Sequence, residues 1–496
     1  MKKYLIGMDI GTSGTKSVLF DTHGNVIASK TAEYPLYQPE NGYAEQDPAD
    51  WWRAACETLQ FVTSFASGGE ILGIGLSGQM HSLVLLDNNN EIIRPAILWC
   101  DQRTAKECEE IEEAVGHDKL IEITANPALP GFTASKLMWV KKHEPENFEV
   151  AAHILLAKDY IRFKLTGEYA TEVSDASGMQ LLDVKQRKWS HEICEILGID
   201  INKLATVYES PELTGRVNAE ASELTGLPQG LPVAGGAGDN AASAVGTGVY
   251  AEGSAFTTIG TSGVVFAPTS TSIIDKKGRI HTFCAAVPGT WHVMGVTQAA
   301  GLSLNWFRGN LMPNTSYAEI DKGCDALPIG ADRLIYLPYL MGERTPILDS
   351  DARGVFFGLS AMHTPMHMAR AVIEGVSYSL YSCLEILREV GINTSDMALC
   401  GGGGKSAFWR QMLCDLYGLP IKTMESSEGA ALGVAILAGC ASGEFDCVEE
   451  GCRKMVRPLE TVTPNESATN EYRKYYTLYS NIYPSLKEQF KSLKKL

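Results

Sequence analysis

The feature that most constrains the fold is a tetrapeptide, Gly-Thr-Ser-Gly, which occurs twice, about half a chain apart. The copies stand at residues 11–14 and 260–263, and each lies between two apolar runs. Apolar runs on both sides of a glycine turn are typical of a β-hairpin. The repeat predicts two related domains. We place the boundary after residue 248, which gives domains 1–248 and 249–496.

Helices alternate with further strands in both halves. Asp47, Pro48 and Asp50 supply the cap, the first-turn proline and the acidic first turn that mark the start of a helix. Residues 71–77 are predicted to form a strand, and residues 366–390 a long helix. Strands that alternate with helices indicate an α/β fold built in layers.

The composition excludes several classes of function. The 496-residue chain has 42 Lys and Arg against 59 Asp and Glu, a net charge of −17 that repels nucleic acid. No apolar run approaches the ~18 residues that a membrane span needs, and Asp9 interrupts the opening apolar run too early for a signal peptide. The 12 cysteines form no CxxC pair, which favours reduced thiols. We therefore expect a cytoplasmic enzyme with no nucleic-acid or membrane partner.

Three glycine-rich loops follow predicted strands, and the two commonest phosphate motifs do not fit them. Gly404-Lys405-Ser406 has the ending of a Walker A loop, but Leu399 stands where its first glycine is required. The first loop, residues 11–14, leads into a strand, whereas a dinucleotide-binding fingerprint leads into a helix.

A different phosphate geometry fits the loops, namely a hairpin whose turn offers backbone N–H groups and hydroxyls to an anion. Taken alone, the first loop is better explained as an ordinary β-turn, because Gly, Ser and Thr are common there. The second copy and a third loop at residues 401–404 favour phosphate binding. Asp9, which ends the first strand, is then placed to hold Mg²⁺ beside the phosphates.

Longer motifs point to one family. Residues 9–16 resemble the first phosphate motif of the ATPase fold of actin, hexokinase and Hsp70, and residues 131–143 and 354–374 resemble the two signatures of the FGGY carbohydrate kinases. The similarity extends over nearly the whole chain. It implies a two-domain α/β fold of the actin-like ATPase (ribonuclease H-like) type, with a nucleotide and sugar cleft between the domains. It also implies ATP and Mg²⁺ as cofactors and a small sugar as the second substrate.

Asp239 follows a glycine run, residues 235–238, and opens an Ala-rich helical segment. From the residues alone it is best explained as the N-cap of that helix. The family resemblance implies that Asp239 is the catalytic base, which takes the proton of the sugar hydroxyl, and that Asn240 binds a sugar hydroxyl. These roles are compatible, because a helix N-terminus favours an ionised carboxylate.

Residues 77–81, 95–103 and 337–346 most resemble the corresponding stretches of family members that phosphorylate D-xylulose, a ketopentose. It implies that Gln79, Met80, His81 and Asp101 bind the sugar. Two alternatives stay open: His81 as a hydrogen-bonded residue at a sheet edge, and Asp101 in a loop salt bridge with Arg103. The arginine–glutamate pair of glycerol kinase-like members is absent, which disfavours glycerol.

For the nucleotide, the resemblance implies residues from all three loops and from one helix. They are Thr12 and Ser13 in the first loop, Gly260, Thr261 and Ser262 in the second, Gly402, Gly403 and Ser406 in the third, and Gly301 and Asn305 in the helix. The first two loops would bind phosphate groups, and the other residues would border the adenosine. The helical segment is equally well explained as ordinary packing.

D-xylulose phosphorylation is the expected activity, and two alternatives remain. One is another kinase of the family, acting on ribulose, fuculose or gluconate. The other is a non-catalytic actin-like ATPase or sugar sensor, which would need no base at position 239. A homodimer is expected only because dimers are the commonest soluble homo-oligomers.

Overall fold

The computed structural model describes the whole chain, Met1–Leu496. Its 24 strands form two seven-stranded sheets and five small two-stranded ones. The strands are β1 Lys2–Ile10, β2 Gly14–Asp21, β3 Val26–Glu33, β4 Glu45–Gln46, β5 Gly69–Gly78, β6 Val84–Leu86, β7 Ala96–Ile97, β8 His153–Leu155, β9 Ala170–Glu172, β10 Leu182–Asp183, β11 Lys188–Trp189, β12 Thr206–Tyr208, β13 Leu213–Arg216, β14 Pro232–Ala234, β15 Ala237–Gly238, β16 Ser254–Ile259, β17 Gly263–Thr269, β18 His281–Cys284, β19 Trp291–Thr297, β20 Ile335–Leu337, β21 Val355–Phe357, β22 Asp396–Cys400, β23 Ile421–Met424 and β24 Pro458–Val462.

Seventeen α-helices cover the sheets and separate them. They are α1 Pro48–Thr63, α2 Ala105–Val115, α3 His117–Thr124, α4 Thr133–His143, α5 Pro145–Val150, α6 Ala157–Thr166, α7 Val173–Ala176, α8 His191–Leu197, α9 Ala219–Thr225, α10 Asp239–Gly246, α11 Gly301–Leu311, α12 Tyr317–Asp325, α13 Pro365–Glu389, α14 Ala407–Tyr417, α15 Gly429–Ala441, α16 Val448–Met455 and α17 Glu466–Lys494. None of them combines the length and the apolar character needed to cross a membrane.

The two large sheets repeat one topology. The first has the order β3-β2-β1-β5-β14-β13, and the second has β18 at its edge followed by β19-β17-β16-β22-β23-β24. Leaving out β18, each order has six strands. The first three pair antiparallel, the fourth and fifth join in parallel, and the sixth pairs antiparallel with the fifth. The internal duplication predicted from the repeated tetrapeptide is therefore present in the sheets.

Each copy of the tetrapeptide forms the turn of the hairpin at the centre of its sheet. In the first, Ile10 pairs with Thr15, and the Gly11 amide donates to the Gly14 carbonyl at 3.0 Å. In the second, the Gly260 amide donates to the Ser262 carbonyl at 3.0 Å. The turns are closed by their own backbone, so the remaining amides and hydroxyls are available to a ligand.

The local helix signals are confirmed. Asp47 caps α1 by accepting from the Ala49 amide at 2.9 Å, with Pro48 as the first helical residue. The predicted long helix is α13, Pro365–Glu389. The predicted strand at residues 71–77 lies within β5.

Two helices, α10 from the first half and α15 from the second, cross in close contact and join the halves. A Cβ at Gly433 of α15 would overlap the backbone of Ala242 in α10, and a Cβ at Gly246 would overlap that of Gly429. On its other side α15 lies against β1 and β5, where Gly7 and Gly75 allow the same close approach. Small residues therefore set the spacing of the helices that carry the cleft.

We expect Gly433→Ala to destabilise the protein by about 1–3 kcal/mol, because the added methyl group overpacks the α10–α15 crossing. Gly309→Ala is the matched control, since Gly309 lies inside α11 with no atom near the position of a Cβ. Alanine is favoured over glycine in a helix interior, so this control should be neutral or stabilising. Urea unfolding of both variants tests the prediction, and equal midpoints would contradict it.

Candidate active site

A cavity of about 910 Å³ lies between the two halves of the chain. Part of its wall, which we call the aromatic wall, consists of Met80, His81, Trp99 and Phe132. Another part, the glycine wall, consists of Gly260, Ser262, Gly401, Gly402 and Gly404. The sequence-predicted site residues that line the cavity are Met80, His81, Asp239, Asn240, Gly260, Ser262 and Gly402.

The other predicted site residues lie outside the cavity wall. They are Asp9, Thr12, Ser13, Gln79, Asp101, Thr261, Gly301, Asn305, Gly403 and Ser406. Most of them support elements that line the cavity.

Asp239 is the first residue of α10 and faces the cavity. The cap residue of that helix is Gly238, so the explanation of Asp239 as the N-cap is wrong. Its Oδ1 accepts from the Asn240 amide at 2.7 Å and from the Asn240 side chain at 2.9 Å. Burial, reinforced by the negative charge of Asp9, raises the pKa of Asp239 to about 7. A carboxyl group with that pKa can take up or release a proton near neutrality.

Asp9 lies near the end of β1, close enough to Asp239 for its charge to act on that carboxyl group. Its Oδ1 is buried and has no hydrogen-bond partner. Burial raises the pKa of Asp9, and the positive charge of Lys16 opposes that shift. Lys16 itself forms an ion pair with Glu428, the residue before α15. The buried unpaired oxygen marks Asp9 as a place where a cation could bind.

The first loop is held by three side chains around Thr12. The Thr12 hydroxyl donates to Gln79 Oε1 at 3.1 Å and accepts from Trp99 Nε1 at 3.0 Å. Gln46 donates to the Thr12 carbonyl at 2.7 Å and accepts from the Gln79 amide group at 2.9 Å. Gln79 therefore supports the first loop from behind, and Ser13 remains exposed at its tip.

His81 is held in one orientation on the aromatic wall. Its backbone has φ of 67°, in the left-handed region that non-glycine residues rarely adopt. Its Nδ1 lies 2.9 Å from the Gly178 carbonyl oxygen, and its ring centroid is 4.8 Å from that of Phe132. Burial, together with the charge of Lys136, holds the pKa of His81 well below its ordinary value. The ring is therefore neutral and leaves Nε2 free of protein partners.

Lys136 is a buried residue of this wall that sequence reasoning did not assign. Its Nζ donates to the His81 carbonyl at 2.8 Å and to the Gly131 carbonyl at 2.6 Å. No carboxylate pairs with it, and burial lowers its pKa to about 7. It ties α4 to the segment that carries His81, so its role is to fix the wall.

Asp101 adopts the salt bridge that the residues alone suggested. Both of its carboxylate oxygens accept from the Arg103 guanidinium, at 2.7–3.0 Å, and Oδ2 also accepts from the Ala44 amide at 2.7 Å. The carboxylate is fully buried and saturated with donors.

The third loop runs from β22 into α14 and carries part of the glycine wall. Ser406 caps α14 by accepting from the Trp409 amide at 3.0 Å. A Cβ at Gly403 would meet the Ile259 side chain, so that glycine allows contact between the second and third loops. Gly301 donates to the Gly260 carbonyl at 2.8 Å and supports the second loop. Asn305 is exposed and accepts from the Tyr317 hydroxyl at 2.5 Å.

A buried ionic cluster supports the segment that leads to Asp239. Lys158 Nζ lies 2.8 Å from Asp159, 3.1 Å from Asp175 and 3.4 Å from Glu172. Arg162 pairs with Asp159 at 2.6 Å. All five side chains are buried.

Two contacts connect this cluster to the backbone next to the cavity. Arg162 donates to the carbonyl of Gly235, and the amide of Gly238 donates to the hydroxyl of Ser174 at 3.1 Å. Ser174 in turn donates to Glu172 at 2.9 Å. The cluster thus fixes the glycine run whose end determines where Asp239 points.

Sequence reasoning missed Trp99, Lys136 and Arg344, all of which lie in or support the cavity. Each stood inside a stretch already noted for its family resemblance. The signal was thus present, but no local pattern separates a cavity-facing residue from its neighbours.

The chain matches two family models, described as the N-terminal and the C-terminal domain of the FGGY family of carbohydrate kinases. The first covers residues 4–246 and the second residues 255–442. Together they cover most of the chain.

Individual relatives are similar over nearly their full length. A xylulose kinase of Bacillus subtilis (strain 168) is 40% identical over 494 residues, 99% of each chain. Two solved structures from Lactobacillus acidophilus, a ligand-bound xylulose kinase and a gluconate kinase, each have a TM-score of 0.94 at 30% identity, and cover 99% of this chain and 100% of theirs. The predicted two-domain α/β fold of the actin-like ATPase type is confirmed.

Proposed function

Because the chain belongs to the FGGY family of carbohydrate kinases, we propose that it transfers the γ-phosphate of ATP to D-xylulose and forms D-xylulose 5-phosphate and ADP. The observation that carries the proposal is the position of Asp239, a half-buried carboxyl group in the wall of a cavity that also contains the glycine-rich loops. The D-xylulose assignment is supported by the relative of 40% identity, which is a xylulose kinase.

In this reaction Asp239 acts as the base. Its carboxylate takes the proton of a sugar hydroxyl while that oxygen attacks the γ-phosphorus, and the bond from the γ-phosphorus to the β-phosphate oxygen breaks to release ADP. Met80 and His81 of the aromatic wall would contact the carbon skeleton and a hydroxyl of the sugar. Asn240, which holds Asp239 through its side chain, would contact another hydroxyl.

The phosphates would bind at the turns of the first two loops. Ser13, Thr261 and Ser262 present hydroxyls there, and the backbone amides add donors. Gly402, where a Cβ would meet no other atom, would leave room for the adenosine beside the third loop, and Gly403 lets that loop pack against Ile259.

Asp9 fits the requirement for Mg²⁺. Magnesium is commonly held by one or two carboxylates together with phosphate oxygens and water. The buried Oδ1 of Asp9 lacks any partner in the protein, and a bound cation would supply one. When bound, Mg²⁺ neutralises charge on the phosphate oxygens.

A coupled assay of ADP release with ATP, Mg²⁺ and a panel of sugars tests the assignment. The panel contains D-xylulose, D-ribulose, L-xylulose, L-ribulose, L-fuculose, gluconate and glycerol. The highest kcat/KM with D-xylulose is the expected result. The panel is needed because structures described as xylulose kinase and gluconate kinase match this chain equally well. No turnover of any sugar, with ATP still bound, would favour the sensor.

The pH dependence of kcat/KM should reflect Asp239. Its pKa is raised to about 7, and a base must be ionised, so kcat/KM falls as the pH falls through about 7, about tenfold per pH unit below it. The measurement uses both substrates below KM, at constant ionic strength between pH 5.5 and 8.5. The control is the coupling system, supplied with ADP alone at each pH. A flat profile between pH 5.5 and 7 would contradict the prediction.

A further inference from the structure

Arg344 reaches the cavity from the second half of the chain, on a backbone that is fixed on both sides. Glu343 accepts from the amides of Gln298 and Arg344, each at 2.8 Å, and from the hydroxyl of Thr297 at 2.5 Å. Thr345 donates its amide to the Val296 carbonyl at 3.0 Å. These hydrogen bonds attach residues 343–345 to the end of β19. They hold in place the backbone from which the Arg344 side chain extends.

The guanidinium itself has no partner in the protein. Its nitrogens form no hydrogen bond and no ion pair, although the side chain lines the cavity. The Arg344 side chain is half-buried. Burial lowers the pKa of its guanidinium, yet water can reach it through the cavity. Water in the cavity can hydrate its nitrogens, and a ligand that brings oxygen acceptors can take the place of that water.

The neighbours of Arg344 come from both halves of the chain, Gly131 and His81 from the first half and His281 from the second. A Cβ at Gly131 would lie 3.5 Å from a guanidinium nitrogen, so the glycine leaves space beside it. The charge of Arg344 helps to lower the pKa of both His81 and His281. Glu343 is a carboxyl group whose charge acts on Arg344, but its oxygens already accept hydrogen bonds from neighbouring amides and hydroxyls, and it forms no ion pair with the guanidinium.

We infer that Arg344 is a specificity-determining residue, which donates to the carbonyl oxygen and an adjacent hydroxyl of the bound sugar. The inference rests on the proposed function, in which the sugar lies against the aromatic wall. A guanidinium only donates hydrogen bonds, in a planar fork, and a carbonyl oxygen only accepts them. A ketose is therefore a better partner than the polyol formed by its reduction. The hydroxyl that replaces the carbonyl group in the polyol carries a proton, which itself needs an acceptor.

The test compares Arg344→Met and Arg344→Lys with the unchanged enzyme, using D-xylulose, its two reduction products xylitol and D-arabinitol, and ATP. Arg344→Met should raise the KM for D-xylulose about 10- to 100-fold, the usual effect of losing a charged hydrogen-bond donor. The KM for ATP should change less than twofold. The ratio of kcat/KM for ketose over polyol should fall at least tenfold, and Arg344→Lys, which keeps the charge without the fork, should give intermediate values.

Arg353→Met is the matched control, because Arg353 is exposed and binds only the carbonyls of Ser350 and Ala352. Equal rises in the KM for sugar and for ATP, or an unchanged ratio of ketose to polyol, would overturn the inference. Should Arg344→Met fold poorly, Arg344→Lys decides the same two readouts. Failure of the proposed function is visible separately, in the sugar that the unchanged enzyme prefers. A preferred sugar without a carbonyl group would overturn both.

Discussion

Replacing Asp239 by Asn should lower kcat for sugar phosphorylation by about 10²–10⁴-fold, the usual contribution of a general base. The amide has the shape of the carboxylate but cannot take the proton of the sugar hydroxyl. ATP should still bind, because the three loops do not depend on this side chain. The coupled ADP-release assay gives kcat, and calorimetry gives the dissociation constant of ATP.

Asp118→Asn is the control for this experiment, since Asp118 is an exposed residue in the first turn of α3. Its kcat should match that of the unchanged enzyme. Turnover of Asp239→Asn within threefold of the unchanged enzyme would remove the base from the proposed mechanism. Loss of ATP binding in the same variant would instead show that the substitution disturbs the cleft.

Lys158→Met should destabilise the first half of the protein by about 3–5 kcal/mol, as expected when one partner of a buried ion pair is removed. Lys158 lies within 3.4 Å of Asp159, Glu172 and Asp175. Without it, three buried carboxyl groups face one remaining cation, Arg162. The midpoint of urea unfolding, followed by tryptophan fluorescence, measures the loss.

The pH dependence of this loss has a definite sign. Burial and the neighbouring carboxylates raise the pKa of Asp175 to about 8 even with Lys158 present. Removing the cation favours protonation further, so the variant should recover part of its stability as the pH falls from 8 towards 5, where protons replace the lost charge. Lys3→Met is the control, because the pair of Lys3 with Glu444 lies at the surface, where water screens it and it contributes little to stability. Equal urea midpoints for the two variants would contradict the prediction.

Parts of the active site followed from local sequence, and parts did not. Met80, His81, Asp239 and Asn240 were predicted as site residues and line the cavity. Gln79 was predicted beside them, but its side chain points to the first loop. In a turn after a strand, consecutive side chains point to different sides, and the spacing of residues does not reveal which side faces a cavity.

The sequence by itself determined the duplicated hairpins, the three glycine loops, the α/β class and the family. These features depend on local periodicity, on turn chemistry and on long motifs, all of which are properties of contiguous residues. Only the tertiary structure decided what surrounds Asp239. The cluster of Lys158, Arg162 and Asp175 supports its loop, and Arg344 enters the cavity from the other half of the chain. Contacts between distant residues are decided by how helices and sheets pack, and a single sequence does not encode that packing in any local pattern.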